Sequence, residues 1–594
     1  MTWNPLALPP RVDARICLFR LAVLGILILL PIGGSTFAQT FPLGDELTII
    51  QKPLLNIPAF ARPGDVFPIN CEADPATTGW TAELVHKDKT VSLNLLSSSY
   101  DASTLWWTLQ AEVPAEMIYE LYDLRVMADG GIDDTTWNAV NIIPEYRNNY
   151  YFIHVTDPHM PDHQFSSSGA VPADSTESVD MREVIRDINL LNPEFVLLTG
   201  DVINEGELED YLEWRSFSRV QHLLTELEVP VFLVTGNHDV GGWDSTPPPD
   251  GTARIQWWRF FGWARLDDPP VGAPYFTQNY SFDYGPVHFI GMESYLNYDD
   301  WRDWIYGDES FTSAQMNWLD QDLAASGSGT QVMFFHSDFS RQLNLNSLDV
   351  EMALSGHIHY DSGSLNGPPW DLTTDNVCDG ARSYRTIKVS GSTLSPQETQ
   401  QAGSSGQELT VSYNPANDGT NESVIATIDS SHDIRHENGR LRIRMPKVAG
   451  ASYDATGGTL LQVDDSGDEA VCHVAVDIPA NRHLTVTVTM TTGSPVPDAV
   501  APLAVQLLPN YPNPFNPSTN IVFSLSRQEA VHLSIYDMSG RFIALLEDGI
   551  RPAGVNEVSW SGLNSSDQPV PSGVYLVQLQ VGDESKVRRI VLAK

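Results

Sequence analysis

Four apolar runs between residues 151 and 335 each stop at a short polar cluster, and this constrains the fold more than any other feature of the chain. Tyr151–Thr156 ends at Asp157-Pro158-His159, Phe195–Thr199 at Gly200-Asp201, Val231–Thr235 at Gly236-Asn237-His238-Asp239, and Gln331–Phe335 at His336. A fifth cluster, Gly356-His357-Ile358-His359, follows. Each run has the length and apolar content of a buried strand. Helical stretches separate them: Val179–Leu191, with apolar spacing at Val179, Ile185, Ile188 and Leu191, then Leu208–Leu227 and Ser313–Ala325. Another strand is expected at Val287–Met292. Strand, polar loop, helix is the order of an open α/β sheet, whose functional sites lie beyond the carboxyl ends of its strands.

Taken singly, the clusters say little. Asp-Pro-His suits a turn, Asn-His-Asp suits a helix cap, and one His after a strand is usually structural. His357 and His359 carry more weight, because alternate residues of an extended segment face the same way and can share a metal site. Of the 15 His, five fall in these clusters, whereas others such as His86, His222 and His532 have no such company. Carboxylate, amide and imidazole donors suit Mn, Fe or Zn without choosing among them. Two such ions about 3.5–4 Å apart activate a water and clamp an in-line displacement at phosphorus.

In order, D-x-H, G-D, G-N-H-D, a lone H and G-H-x-H make residues 150–391 resemble the calcineurin-like metallophosphoesterase family. Tyr280–Gly285 and Gln315–Leu319 are also similar to it. The resemblance implies a four-layer fold, two packed β-sheets flanked by helices. It implies that Asp157, His159 and His359 hold one divalent ion, that Asn237, His336 and His357 hold a second, and that Asp201 bridges both. It implies that His238 faces the phosphate, oriented by Asp239, and gives a proton or hydrogen bond to the leaving oxygen. A metal-bridging hydroxide would then attack a phosphate mono- or diester in line. The similarity to purple acid phosphatases is partial. They have Gly where His159 stands and a metal-binding Tyr where Asn204 stands, so no Fe³⁺–tyrosinate chromophore is expected. The alternative is an inactive surface or binding protein that reuses the fold. Such a copy is expected to have lost a ligand, and none is lost here.

Charge bears on the substrate. The net charge is −42, and without residues 1–38 it is −44, from 31 basic and 75 acidic residues. That argues against non-specific binding to nucleic acid or anionic lipid. A phosphorylated small molecule or phosphodiester would approach an unfavourable field. Two divalent ions against the carboxylates of Asp157 and Asp201 leave a local excess of positive charge that answers it.

The flanks are β-patterned. Thr81–Val85, Thr90–Leu95, Leu105–Val113 and Tyr119–Met127, within residues 39–147, suit an immunoglobulin-like sandwich. Residues 396–492 hold six more candidate strands, and residues 493–504 read as a Pro-containing linker. Residues 505–594 open with Leu508-Pro-Asn-Tyr-Pro-Asn-Pro-Phe-Asn-Pro-Ser-Thr-Asn520 and continue with Ile535-Tyr536-Asp537, Gly540-Arg541 and Ser572-Gly573-Val574-Tyr575. This module resembles the type A sorting domain of type IX secretion, which implies handling by outer-membrane secretion machinery. At the other end, Arg11, Arg15 and Arg20 precede the apolar run Leu21–Ile32 and the small-residue site Thr36-Phe37-Ala38. That is the pattern of a cleaved export signal over residues 1–38; the run is too short for a spanning helix, which needs about 20 residues. The expected architecture is a secreted or cell-surface multidomain chain: a central α/β four-layer sandwich at 148–395 flanked by all-β domains.

Some features have plain readings. Cys71, Cys378 and Cys472 are far apart, make no disulfide scaffold and match no zinc-site spacing. Trp243, Trp257, Trp258 and Trp263 read as a packed insertion, with a lid over the site as the alternative. Asp162 and His163 suit a solvated loop, and Asp464–Asp468 a turn that lacks calcium-loop spacing.

Overall fold

The structure is a computed structural model. It describes residues 49–160, 178–204, 215–240, 257, 260–262, 264–265, 276–277, 279–294, 309–327, 329–403, 408–492, 505–508, 510, 513–525, 529–551, 554–566, 568–582 and 584–593. The expected export signal, the linker at 493–504, Asp162, His163, Trp243, Trp258 and Trp263 lie outside the described residues.

Residues 50–142 build two sheets, of four and five strands, closed over one core that includes Ile69, Leu84, Leu109 and Leu124. Val66–Glu72 alternates outward and inward along its length, the mark of a strand wetted on one face. The run expected at Thr90–Leu95 is two strands, Lys89–Ser92 and Asn94–Asp101. They belong to different sheets, and the buried Leu93 marks the crossing.

The central region holds strands β1 (Asn149–Val155), β2 (Val196–Leu198), β3 (Val231–Leu233), β4 (Tyr280–Tyr284), β5 (Val287–Met292), β6 (Thr330–Phe335), β7 (Met352–Ser355), β8 (Trp370–Thr373), β9 (Ser383–Ser390) and β10 (Thr393–Gln401). Its helices include α1 (Val179–Leu191), α2 (Arg215–Leu224), α3 (Asn237–Val240) and α4 (Ser313–Ala325). One sheet runs β3-β2-β1-β9-β10, parallel across β1 to β3 and antiparallel beyond. The other runs β4-β5-β6-β7-β8, parallel from β5 onward. Phe152, Leu197 and Phe232 of the first sheet share a core with Phe289, Phe334 and Leu354 of the second. The strands β2, β3, β5, β6 and β7 are buried along their whole length, as expected of parallel strands covered on both faces.

Helix α1 buries Met181, Val184, Ile185, Ile188 and Leu191 and ends at Asn192 in the left-handed conformation. Helix α4 starts with a capping box: Thr312 accepts from Gln315 N, and the Gln315 side chain accepts in return from Thr312 N. Its Leu319 packs with Ile290 and Met333, the residues that alternate with Phe289 and Phe334 and so point to the opposite face of the sheet. Helix α2 is described from Arg215, inside the expected span, and residues 205–214 lie outside the described set. The first sheet continues to Gln401, beyond the boundary expected at 395. Strand β10 is polar and largely wetted, as an edge strand is, so it carries no apolar run to announce it.

The chain divides into two compact units, the second comprising residues 450–452 and 491–594. Strands at Leu409–Asn414, Ser423–Ser430, His436–Met445, Thr459–Asp464, Ala470–Ile478 and Arg482–Thr492 cover the six runs expected within 396–492. Asp464 closes a turn by accepting from Ser466 N at 2.9 Å and also takes Lys87 Nζ at 2.6 Å. The second unit has its own core, including Ile521, Phe523, Leu533, Ile535, Val577 and Leu579. Cys71, Cys378 and Cys472 are free thiols, all buried. Among the described residues no helix is long and apolar enough to cross a membrane.

Candidate functional site

Strands β1, β2, β3, β6 and β7 deliver their polar clusters to the same end of the two sheets, and each cluster is held by its neighbours' backbones. Asp157 N donates to Gly200 O at 3.2 Å, His159 N to Asp201 O at 2.9 Å, and Gly356 N to His336 O at 3.0 Å. The loops cross so closely that only glycine fits at the crossing points. A Cβ on Gly236 would lie 2.1 Å from Asp201 Oδ1 and 2.4 Å from Asp201 N; one on Gly356 would lie 1.9 Å from Thr156 Oγ1. Five of the expected ligands sit at left-handed φ: Asp157 (54°), His159 (44°), Asp201 (51°), His357 (75°) and His359 (54°). Each such position costs of order 1–3 kcal/mol and persists only where the surroundings over-determine it, which is common at functional sites.

The side chains converge. Asp157 Oδ2 accepts from Thr156 Oγ1 (2.7 Å) and His357 N (2.9 Å). That turns Oδ1 toward His359 Nε2 (3.3 Å) and His159 Nε2 (3.6 Å), which are 3.1 Å from one another. Asp201 Oδ1 accepts from His238 N at 2.9 Å. Its Oδ2 stands between two groups, 3.0 Å from His336 Nε2 and 3.5 Å from His159 Nε2. His336 Nδ1 donates to Thr199 O at 2.6 Å, so Nε2 is the nitrogen facing Asp201 and Asn237 Oδ1, the latter at 3.1 Å. His357 completes a cluster with Asp201 and His336 whose donor atoms all lie within 4.8 Å. Asp157, Asp201, Asn237 and His336 are essentially inaccessible.

Asp157 Oδ1 and Asn237 Nδ2 have no hydrogen-bond partner although both are buried. A buried carboxylate oxygen without a donor is costly, and a cation bound between it and the flanking imidazoles of His159 and His359 would relieve that cost. Seven N and O donors at such spacings, two of them carboxylates, fit two divalent ions.

The electrostatics follow the same grouping. Burial works against both carboxylates, yet the surrounding imidazoles, His336 foremost, hold Asp157 and Asp201 well below the usual range. Burial pulls His336 down, but Asp201 and Asp157 outweigh it and raise the ring to about 9. Burial dominates at His238 and His357 and lowers each to about 4.

The structure corrects one role and adds residues that the sequence did not flag. His238 Nδ1 hydrogen-bonds the backbone carbonyl of Asn204, not Asp239. The Asp239 carboxylate instead accepts from Ile203 N (3.1 Å) and Gly236 N (2.8 Å). Asp239 thus ties down the backbone next to Asn204, whose carbonyl meets the His238 ring. His154 bridges the hydroxyls of Thr374 (2.7 Å) and Thr199 (2.9 Å) beneath the site. Cys378 lies beside His159 and His359. Of the four Trp, Trp257 is described: it is buried and packs on Phe217 and Phe261, as a packed insertion does.

Residues 150–361 match the family model described as calcineurin-like phosphoesterase, and residues 515–585 match that of the FlgD Ig-like domain. A probable cyclic nucleotide phosphodiesterase of Vesicomyosocius okutanii is 24% identical over 91 residues, 15% of this chain and 34% of that protein. The bovine (Bos taurus) serine/threonine-protein phosphatase CPPED1 is 28% identical over 190 residues, 31% of this chain and 53% of that protein. The chain therefore spans about a third and about half of these relatives' lengths. Among solved structures, a purple acid phosphatase from yellow lupin (Lupinus luteus) aligns with TM-score 0.32 and 12% identity over 62% of this chain and 70% of that one. With two packed sheets, clusters converging at their strand ends and the match over residues 150–361, the chain carries a calcineurin-like phosphoesterase domain.

Proposed function

We propose that this chain is a secreted phosphoesterase that uses two divalent ions to hydrolyse phosphate mono- or diesters. One observation carries the reading: Asp201 Oδ2 stands 3.5 Å from His159 Nε2 and 3.0 Å from His336 Nε2, where a bridging carboxylate would stand. Asp157, His159 and His359 would hold one ion, Asn237, His336 and His357 the other. Bound there, the ions supply a nucleophile at neutral pH and neutralise charge on the phosphoryl oxygens. In fold terms, we read the two sheets with their helices as the four-layer arrangement of that family.

The chain's own residues do the rest. The bond to Asn204 O places the neutral-ring proton of His238 on Nδ1 and leaves Nε2 as an acceptor. Burial favours that neutral form, and a phosphate dianion alongside favours protonation. Protonated, Nε2–H can donate to the leaving oxygen. Asp239 acts through the loop, keeping Asn204 O in place. Asn204 supplies no phenolate, so an iron-loaded protein should lack a tyrosinate charge-transfer band.

Purified mature protein should be assayed against aryl phosphate monoesters and diesters with Mn²⁺, Fe²⁺ and Zn²⁺. Metal-dependent turnover of either class is expected. Binding of two ions without turnover of any phosphoester would favour the inactive binding protein. We also propose export: residues 1–38 as the signal and residues 505–594 as a sorting module for the outer-membrane secretion machinery.

A further inference from the structure

Cys378 is 2% exposed, and its turn is built onto the candidate metal site. Val377 N donates to Thr156 O at 3.1 Å, and Cys378 N donates to Asp157 O at 3.2 Å. The thiol therefore shares a backbone anchor with the first carboxylate of the site. Asn376 Nδ2 holds it from behind, 3.0 Å from Cys378 Sγ and 3.0 Å from Cys378 O. From this position Sγ lies within 4.8 Å of a ring nitrogen of both His159 and His359. A second observation points to a cation at the same place. Asp157 Oδ1, fully buried and without a hydrogen-bond partner, faces the same two rings at 3.6 and 3.3 Å.

Bond lengths decide whether the sulfur is in reach. Zinc binds thiolate sulfur at about 2.3 Å and imidazole nitrogen at about 2.0–2.1 Å, so two donors on one ion are separated by at most about 4.4 Å. The donor atoms lie within 4.8 Å of one another, and a shared tetrahedral ion would draw them to about 3.6 Å, a closure of at most about an ångström that side-chain rotation at the three residues supplies. An ordinary core thiol has no need of a side-chain amide aimed at its sulfur, whereas a ligand does need such an orienting partner.

Resting on the two-ion reading above, we propose that Cys378 is a further ligand of the ion held by Asp157, His159 and His359. The site would then offer the Asp157 carboxylate, the bridging Asp201, two imidazoles and a thiolate, which suits a thiophilic cation such as Zn²⁺ or Cd²⁺ over Mg²⁺. On binding, the S–H proton leaves to solvent, a sulfur lone pair takes its place on the cation, and no electron changes hands. The second position, Asn237, His336 and His357, keeps N and O donors only. The two positions thus differ in metal preference, as N and O donors alone would not make them.

The test uses full-length protein stripped with a chelator, reloaded with Zn²⁺ and examined by X-ray absorption. Wild type should bind two zinc ions and show a sulfur scatterer at about 2.3 Å, with an amplitude of one sulfur for every two zinc ions. Cys378→Ser should lose it, while Cys71→Ser and Cys472→Ser keep it. Titration with Cd²⁺ should raise a thiolate-to-cadmium ultraviolet band in wild type and not in Cys378→Ser. Two bound ions with nitrogen and oxygen scatterers only would overturn the proposal and leave the two-ion reading standing. A sulfur signal that survives Cys378→Ser overturns it as well, and failure to bind zinc overturns both. If Cys378→Ser does not fold, the wild-type scatterer alone decides.

Discussion

Replacing Gly236 by Ala tests the loop crossing on which the site depends. The added Cβ would sit 2.1 Å from Asp201 Oδ1, whereas ordinary contact begins at 3.4 Å, so the carboxylate must retreat by about 1.3 Å. Rotation does not suffice, because the backbone nitrogen of Asp201 is only 2.4 Å from the same Cβ. The carboxylate is also pinned by His238 N on one oxygen and faces His336 on the other. The two loops must therefore separate, carrying Asp201 and Asn237 apart. A misplacement of about 1 Å at a reacting centre costs on the order of 10²-fold in rate, equal to roughly 2.7 kcal/mol of transition-state stabilisation. Overpacking costs about 1–3 kcal/mol of stability, which a domain with this much buried strand should survive. The assay measures kcat/KM on an aryl phosphate monoester and diester, metal content after gel filtration, and the melting midpoint. The expected result is a fall of about 10²-fold or more, reduced metal content and a folded protein. Gly573→Ala, whose Cβ would meet nothing within 4 Å, should behave as wild type. A Gly236→Ala protein with two bound ions and kcat/KM within about twofold of wild type would refute the bridging position of Asp201.

His238→Ala should keep both ions and lose about 10²–10⁴-fold in kcat, less for substrates with good leaving groups; loss of an ion would instead make His238 a ligand. Burial lowers His154 and His436 each to about 3, against about 6.5 in the unfolded chain. Below about pH 6.5 the unfolded chain takes up protons that these folded rings refuse, so each removes up to about 1.4 kcal/mol of stability per pH unit down to about pH 3, and nothing above 6.5. Melting midpoints from pH 7 to 5 should accordingly fall more steeply for wild type than for His436→Gln, and equal slopes would show that the ring is not held neutral. Deleting residues from 505 onward should leave hydrolysis by the purified protein intact, since the module has a core of its own, and should abolish delivery outside the cell. A truncated protein that works and is still delivered would reduce the module to an accessory domain.

Local patterning made much of the domain readable. Helix α1 has the bounds that apolar spacing predicts, and β5 those of its apolar run, because burying one stripe of a helix or a whole strand dictates which positions are apolar; α4 also has its expected bounds, its start set by the capping box of Thr312 and Gln315. The ordered clusters Asp157 to His359 were visible because a strand's end fixes where the next residues emerge. Strands β9 and β10 were not visible: Ser383–Ser390 and Thr393–Gln401 are rich in polar residues, β9 pairs with β1 more than two hundred residues away, and β10 joins the sheet only through β9.

What the sequence by itself determined is the donor inventory and its order along the chain. What only the tertiary structure decided is how those donors meet. His159 and His359 are two hundred residues apart yet face each other at 3.1 Å. Asn204 O rather than Asp239 accepts the hydrogen bond from His238 Nδ1, and Cys378, with no neighbour in sequence to mark it, stands beside two imidazoles. The left-handed φ angles at Asp157, His159, Asp201, His357 and His359 belong to the same class. Asp and His enter that conformation more often than most residues but seldom enough that neither type announces it, and its cost of about 1–3 kcal/mol per position is met only when the neighbouring loops close around it. Side-chain chemistry is a property of each residue and is legible one letter at a time. The geometry of a site is a property of contacts between loops, and those exist only once both sheets have closed on their common core.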